Sequence, residues 1–132
     1  MSAIRIKEIF DDFNRALERL KEALKEDANE SSIAVDGTIQ RFEFTFELAW
    51  KLAKAALNYS GVEVDTPRLV IKEAYKAKLI KDGQGWIDML EDRNKTSHIY
   101  DEQAAMEIYK KIKNNHFKLL ENFKQGIENF IK

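Results

Sequence analysis

Ile6, Phe10, Phe13, Leu17, Leu20 and Leu24 recur at alternating steps of four and three residues. That spacing draws one apolar stripe along a first helix of about six turns. Lys, Glu, Asp and Arg fill the positions between, with pairs such as Glu18 and Lys21, so the back of this helix is solvated. The stretch 27–32 breaks the period and predicts a loop, and Asp36 is the expected N-cap of a second helix. The second helix runs through Arg41 and Trp50 towards Tyr59 and is apolar round most of its circumference. Phe42, Phe46, Ala49 and Ala53 lie on one side, and Phe44, Leu48 and Leu52 on another. Such a helix is central or packs a second chain. Its remaining polar stripe is Glu43, Glu47, Lys51 and Lys54. The stripe reads as helix ion pairs, Glu47 before Lys51 being the favoured order, or as the border of a site in which Glu47 plays a supporting part.

Ser60-Gly61 closes the second helix, because glycine takes the left-handed conformation that follows many helix ends. Thr66-Pro67 opens a third, the threonine capping and the proline filling a first-turn position that needs no N–H. Val70, Ile71, Ala74 and Tyr75 give it an apolar face. The run 81–85 predicts a turn, and 85–93 a short helix with Trp86, Ile87, Met89 and Leu90 inside. Asp101 is the expected cap of a long last helix, apolar at Ala104, Ala105, Ile108, Ile112, Leu119, Phe123, Ile127 and Phe130. Its Lys110, Lys111 and Lys113 read as a solvated face, and His116 as a histidine at the edge of the core. No segment sustains a period of two. The pattern predicts an all-α, up-and-down four-helix bundle with an additional short helix.

Composition narrows what such a bundle does. At 132 residues the length suits a single domain spanning 1–132. One proline and five glycines leave few places for turns, in keeping with long helices. The net charge of −1 gives no global basic excess, so any RNA contact has to be local. The absence of cysteine excludes disulfides and thiolate zinc sites and fits a cytoplasmic location. Arg5, Lys7 and Glu8 precede any apolar run, which predicts no signal peptide. No apolar run is long enough to span a bilayer. Neither histidine pairs with a second ligand at metal-binding spacing, so no metal or cofactor is expected.

The chemistry-bearing stretch is Glu91-Asp92-Arg93-Asn94-Lys95-Thr96-Ser97-His98-Ile99-Tyr100-Asp101. It crowds an arginine, a histidine and a tyrosine into eight residues between two helical patterns. Residues five apart in an unbroken helix point about 140° away from each other. Arg93 and His98 therefore share a pocket only if the helix breaks between them or a second chain contributes. Asn94 and Ser97 bond locally and favour such a break. An imidazole that exchanges protons near neutral pH, beside a guanidinium that matches phosphate oxygens, suits metal-free RNA cleavage. In the structural alternative Arg93 pairs with Glu91 or Asp101 and His98 packs into the turn.

The runs Arg41-Phe42-Glu43-Phe44-Thr45-Phe46-Glu47-Leu48-Ala49-Trp50-Lys51 and, further on, Trp86, Met89-Leu90 and Asp92 to Asp101 resemble the nucleotidyltransferase substrate-binding protein family of the HEPN superfamily. The resemblance covers nearly the whole chain. Arg93-Asn94 and His98 match that superfamily's motif of arginine, four residues and histidine, and Tyr100 matches the tyrosine of its extended form. The resemblance implies a homodimer with facing loops and a minimal nucleotidyltransferase partner encoded nearby. It implies catalytic roles for Arg93 and His98 in a ribonuclease toxin, support from Asn94, and Tyr100 as the residue that receives AMP. It also carries a second implication, in which the bundle is the non-catalytic substrate-binding half of a split nucleotidyltransferase.

Overall fold

A computed structural model of the chain describes residues 3–27, 32–99 and 101–131. The first stripe holds: α1 (Ala3–Leu24) buries Ile6, Ile9, Phe13, Ala16, Leu17, Leu20 and Ala23, while Phe10 and Leu24 sit half-buried at its margins. The second helix, α2 (Ser32–Tyr59), starts a full turn before the expected cap. Val35, Thr38 and Ile39 are buried, so core contact draws the chain into a helix early. Asp36 lies exposed inside that helix and is not its cap.

Gly61 ends α2 at φ 94°. The Val62 N–H donates to the Leu57 carbonyl at 2.9 Å and the Gly61 N–H to Asn58 at 3.0 Å, the paired bonds of a left-handed helix stop. Next, α3 (Pro67–Lys76) is capped by Thr66, whose side chain accepts from the Leu69 N–H. Val70, Ile71 and Ala74 face inwards, but Tyr75 is half exposed and lies against Gly83 instead of entering the core. The fourth helix, α4 (Gly83–Lys95), is longer at both ends than the pattern suggested, because the Asp82 side chain accepts from the Gly85 N–H and starts it two residues early.

The last helix of the pattern is a single rod with an interruption. It comprises α5 (Glu102–Lys111), a π-turn at Ile112–His116 and α6 (Phe117–Ile131). Asp101 caps it, its carboxylate accepting from the Ala104 N–H at 2.7 Å. The interruption follows from the spacing of the buried positions. Ile108, Ile112, His116 and Leu120 stand four apart three times running, one residue more than three α-turns hold. A turn with i→i+5 bonding absorbs the surplus, as the Phe117 N–H donating to the Ile112 carbonyl records. The face carried forward is therefore Leu120, Phe123 and Ile127, with Leu119 only half-buried.

Every described element is helical, as the pattern required. The long helix α2 lies against α1, α3, α4, α5 and α6. A column of rings joins the layers. Phe13 of α1 meets Phe123 of α6 edge-on at 5.6 Å, Phe123 meets Trp86 of α4 at 5.3 Å, and Trp86 meets Phe46 of α2 at 6.1 Å. Each such pair contributes about 0.5–1.5 kcal/mol beyond the area it buries. The column ends beneath the Arg93 guanidinium.

Candidate functional site

Arg93 lies inside α4, two residues before its end, and not on the connection. Its guanidinium bridges to the Glu47 carboxylate of α2, a contact 46 residues away in sequence. It also donates to Asn94 Oδ1 at 3.2 Å and stands 5.9 Å over the Phe46 ring. Glu47 in turn accepts from the Trp50 indole N–H at 3.1 Å and pairs with Lys51 at 3.5 Å. The ion-pair reading of its polar stripe is therefore present, with Arg93 as a further partner from another helix. Burial opposes ionisation of Glu47, but Trp50, Arg93 and Lys51 outweigh it and hold the carboxyl below its ordinary 4.5. Arg93 and Glu47 keep 30% and 32% of their side chains exposed, so solvent reaches this pair.

The end of α4 is set by a hydroxyl. Thr96 donates both its backbone N–H and its Oγ1 hydrogen to the Arg93 carbonyl, which tightens the chain into a 3₁₀ turn at Thr96–His98. Thr96, and not Ser97 or Asn94, makes this local bond. Extended backbone first appears at Ile99. The α-helix thus ends between Arg93 and His98, but the 3₁₀ turn carries the helical path on to His98, and the two side chains leave the axis roughly half a turn apart. His98 is exposed and Asn94 is exposed. Tyr100 lies outside the described residues.

On the other flank of α4 is a cluster that the motif did not announce. Asp92 is 1% exposed and His116 2%. The Asp92 carboxylate accepts from His116 Nε2 at 2.6 Å and from Lys111 Nζ at 2.7 Å. Burial pushes the Asp92 carboxyl up, but the bonds from His116 and Lys111 outweigh it and leave it below its ordinary 3.8. The His116 ring stacks on Phe42 at 5.5 Å, so the residue expected at the core edge lies within the core. A sequence signal did exist for this pair. Asp92 falls three residues after the buried Met89, and His116 four after the buried Ile112. An acid and a histidine each stand where the apolar register asks for a hydrophobe. Removing one partner of such a buried pair costs about 3–5 kcal/mol.

Among the described residues no three His, Cys, Asp or Glu side chains gather as a metal site needs, and no helix is long and apolar enough to cross a membrane. The site is an all-protein polar network on one turn of α4: a partly exposed arginine on one flank, a buried carboxylate on the other, and a histidine on the turn that follows.

The chain as a whole matches a known class. The family described as "Nucleotidyltransferase substrate binding protein like" matches residues 8–129, and the chain belongs to that family. Among its relatives is a protein of Haemophilus influenzae named "Probable ribonuclease HepT", 35% identical over 83 residues. The match covers 59% of this chain and 57% of that protein, so the chain spans little more than half the length of this curated relative. A solved structure from Thermus thermophilus is 30% identical with a TM-score of 0.77, covering 91% of this chain and 99% of the other. A second, from Haemophilus influenzae, has a TM-score of 0.69 at 21% identity over 96% and 99% of the two chains. It is described as revealing the fold of a substrate binding domain of a nucleotidyltransferase, and the likeness to it is one of fold.

Proposed function

We propose that this chain is the HEPN component of a HEPN/minimal-nucleotidyltransferase toxin–antitoxin pair, a metal-independent endoribonuclease working through Arg93 and His98. The observation that carries the reading is Arg93 itself. Its guanidinium is fixed by Glu47, Asn94 and the Phe46 ring yet still reaches solvent, with His98 exposed on the next turn. The matching relative named as a ribonuclease supports it.

In this reading the His98 imidazole takes the proton of a ribose 2′-hydroxyl, and that oxygen attacks the adjacent phosphorus. The bond to the 5′-oxygen breaks, leaving a 2′,3′-cyclic phosphate. A second imidazole protonates the departing oxygen. Arg93 stabilises the charge on the equatorial oxygens. One chain brings a single histidine to this turn, and Arg93 and His98 face apart within it. Two copies facing each other across a cleft supply both imidazoles and both guanidinia. Phe44, 60% exposed and one turn before Glu47 on α2, is an apolar residue suited to that contact. The nucleotidyltransferase would join AMP from ATP to the Tyr100 hydroxyl with release of pyrophosphate. The added phosphate would then compete for Arg93.

Purified protein should cleave single-stranded RNA in the presence of a chelator, and His98→Ala and Arg93→Ala should each lose at least about 100-fold in rate. Equal activity, or equal inactivity, of wild type and His98→Ala would overturn the reading. A second reading, a non-catalytic substrate-binding subunit of a split nucleotidyltransferase, is favoured by the family's own description and by the Glu47 carboxylate already seated on Arg93. It predicts co-purification with a nucleotidyltransferase and no cleavage at any concentration.

A further inference from the structure

Adjacent residues on α4 are held by different helices. Asp92 is tied to the last rod by Lys111 and His116, and Arg93 is tied to α2 by Glu47. Lys111 and His116 are five residues apart, a spacing that in a plain α-helix would aim them about 140° away from each other. The π-turn between them brings residues five apart towards one face, and both reach the same carboxylate. The irregularity of the rod and the buried acid of α4 thus form one construction. Nothing in the RNA-cleaving scheme uses it directly.

We infer that Asp92 is a positioning residue: clamped by His116 and Lys111, it fixes the rotation of α4 about its axis and so holds the Arg93 guanidinium over the Phe46 end of the aromatic column. The inference rests on Arg93 being the group that meets RNA phosphate, but the aim of Arg93 is measurable without RNA. With Asp92 held, α4 cannot roll, and Arg93 stays between Glu47 and the Phe46 face. With the clamp opened, the core beneath α4 remains through Trp86, Met89 and Leu90, while the guanidinium gains freedom.

The test uses Lys111→Met, Lys111→Arg and Asp92→Asn in the full chain. Lys111 is 44% exposed, so Lys111→Met removes one arm of the clamp without emptying the core. The primary readout is the Arg93 Nε–H resonance in NMR, assigned by its loss in Arg93→Lys. In the wild type it should stand apart from the solvent-exposed arginines. In Lys111→Met and Asp92→Asn it should move into their envelope, and Lys111→Arg should restore it. On RNA, Lys111→Met should lower kcat about 10-fold with KM little changed, the pattern of a misaimed group and not of lost binding. An Arg93 resonance unmoved in folded Lys111→Met overturns the inference, and this variant decides the matter if Asp92→Asn fails to fold. If the wild type cleaves no RNA, the nuclease reading falls while the resonance still judges the clamp.

Discussion

Glu47 has an indole N–H, a guanidinium and an ammonium around one carboxylate, and all three favour its ionised form. A carboxyl whose folded pKa lies below its unfolded value stabilises the fold above the unfolded value and loses that contribution as pH falls through the folded one. For Glu47 the loss begins below its ordinary 4.5, and for Asp92 below 3.8. Urea unfolding of the wild type across this acid range should show stability falling with pH. Glu47→Gln should be less stable at neutral pH and fall less steeply below 4.5; an unchanged slope would contradict the three-donor account. Arg93, Asn94 and His98 were legible as a motif, because their identities and spacing are local. The partner that holds Arg93 was not, since Glu47 lies 46 residues upstream and its own helix offered Lys51 as a sufficient partner. Asp92 and His116 were visible only as two breaches of apolar register on different helices, and nothing local says that two breaches meet.

Gly126 shows an element-level constraint that propensity alone inverts. Alanine is normally preferred to glycine inside a helix by about 1 kcal/mol. A Cβ at Gly126 would come within 2.7 Å of the Leu79 carbonyl oxygen, a backbone atom on the link between α3 and α4 that cannot swing aside. Gly126→Ala should therefore lower the unfolding midpoint, by about 1–3 kcal/mol of overpacking less the propensity gain, and thermal unfolding would show it. Boundaries at this scale were readable where a side chain makes them: Thr66 before Pro67, Asp101 before α5, Gly61 after α2. They were missed where burial sets them, as at the start of α2, which Val35 and Ile39 pull ahead of Asp36. The π-turn was written in the spacing of Ile108, Ile112, His116 and Leu120, but reading it required knowing that a histidine occupies a core position.

In the whole molecule, the all-α bundle was legible because the stripes of α1 and the last rod are long and α2 is apolar on most sides. The sequence offered Phe42, Phe44, Phe46 and Trp50 together as surplus apolar surface. Phe42 and Phe46 are fully buried, Trp50 is half-buried, and Phe44 alone among the four is mostly exposed, so the surplus shrinks to one side chain near the site. If two copies complete the cleft, analytical ultracentrifugation at micromolar concentration should give a dimer, and Phe44→Asp should shift it towards monomer without altering the helical circular dichroism. A monomeric wild type would count against the paired cleft.

The surplus residue in the last rod gives the gene one place where a codon can disappear. Losing any of the exposed Lys113, Asn114 or Asn115 would leave the inward positions at regular four-three intervals, and the helix could run uninterrupted with Phe123 and Ile127 still pointing home. The same loss one turn further along, with the π-turn retained, would swing everything beyond it by about 100° and empty the floor under Trp86. Length variation among kin of this chain should therefore gather at 113–115, and a natural version shortened there would have traded its carboxylate clamp for a smoother helix.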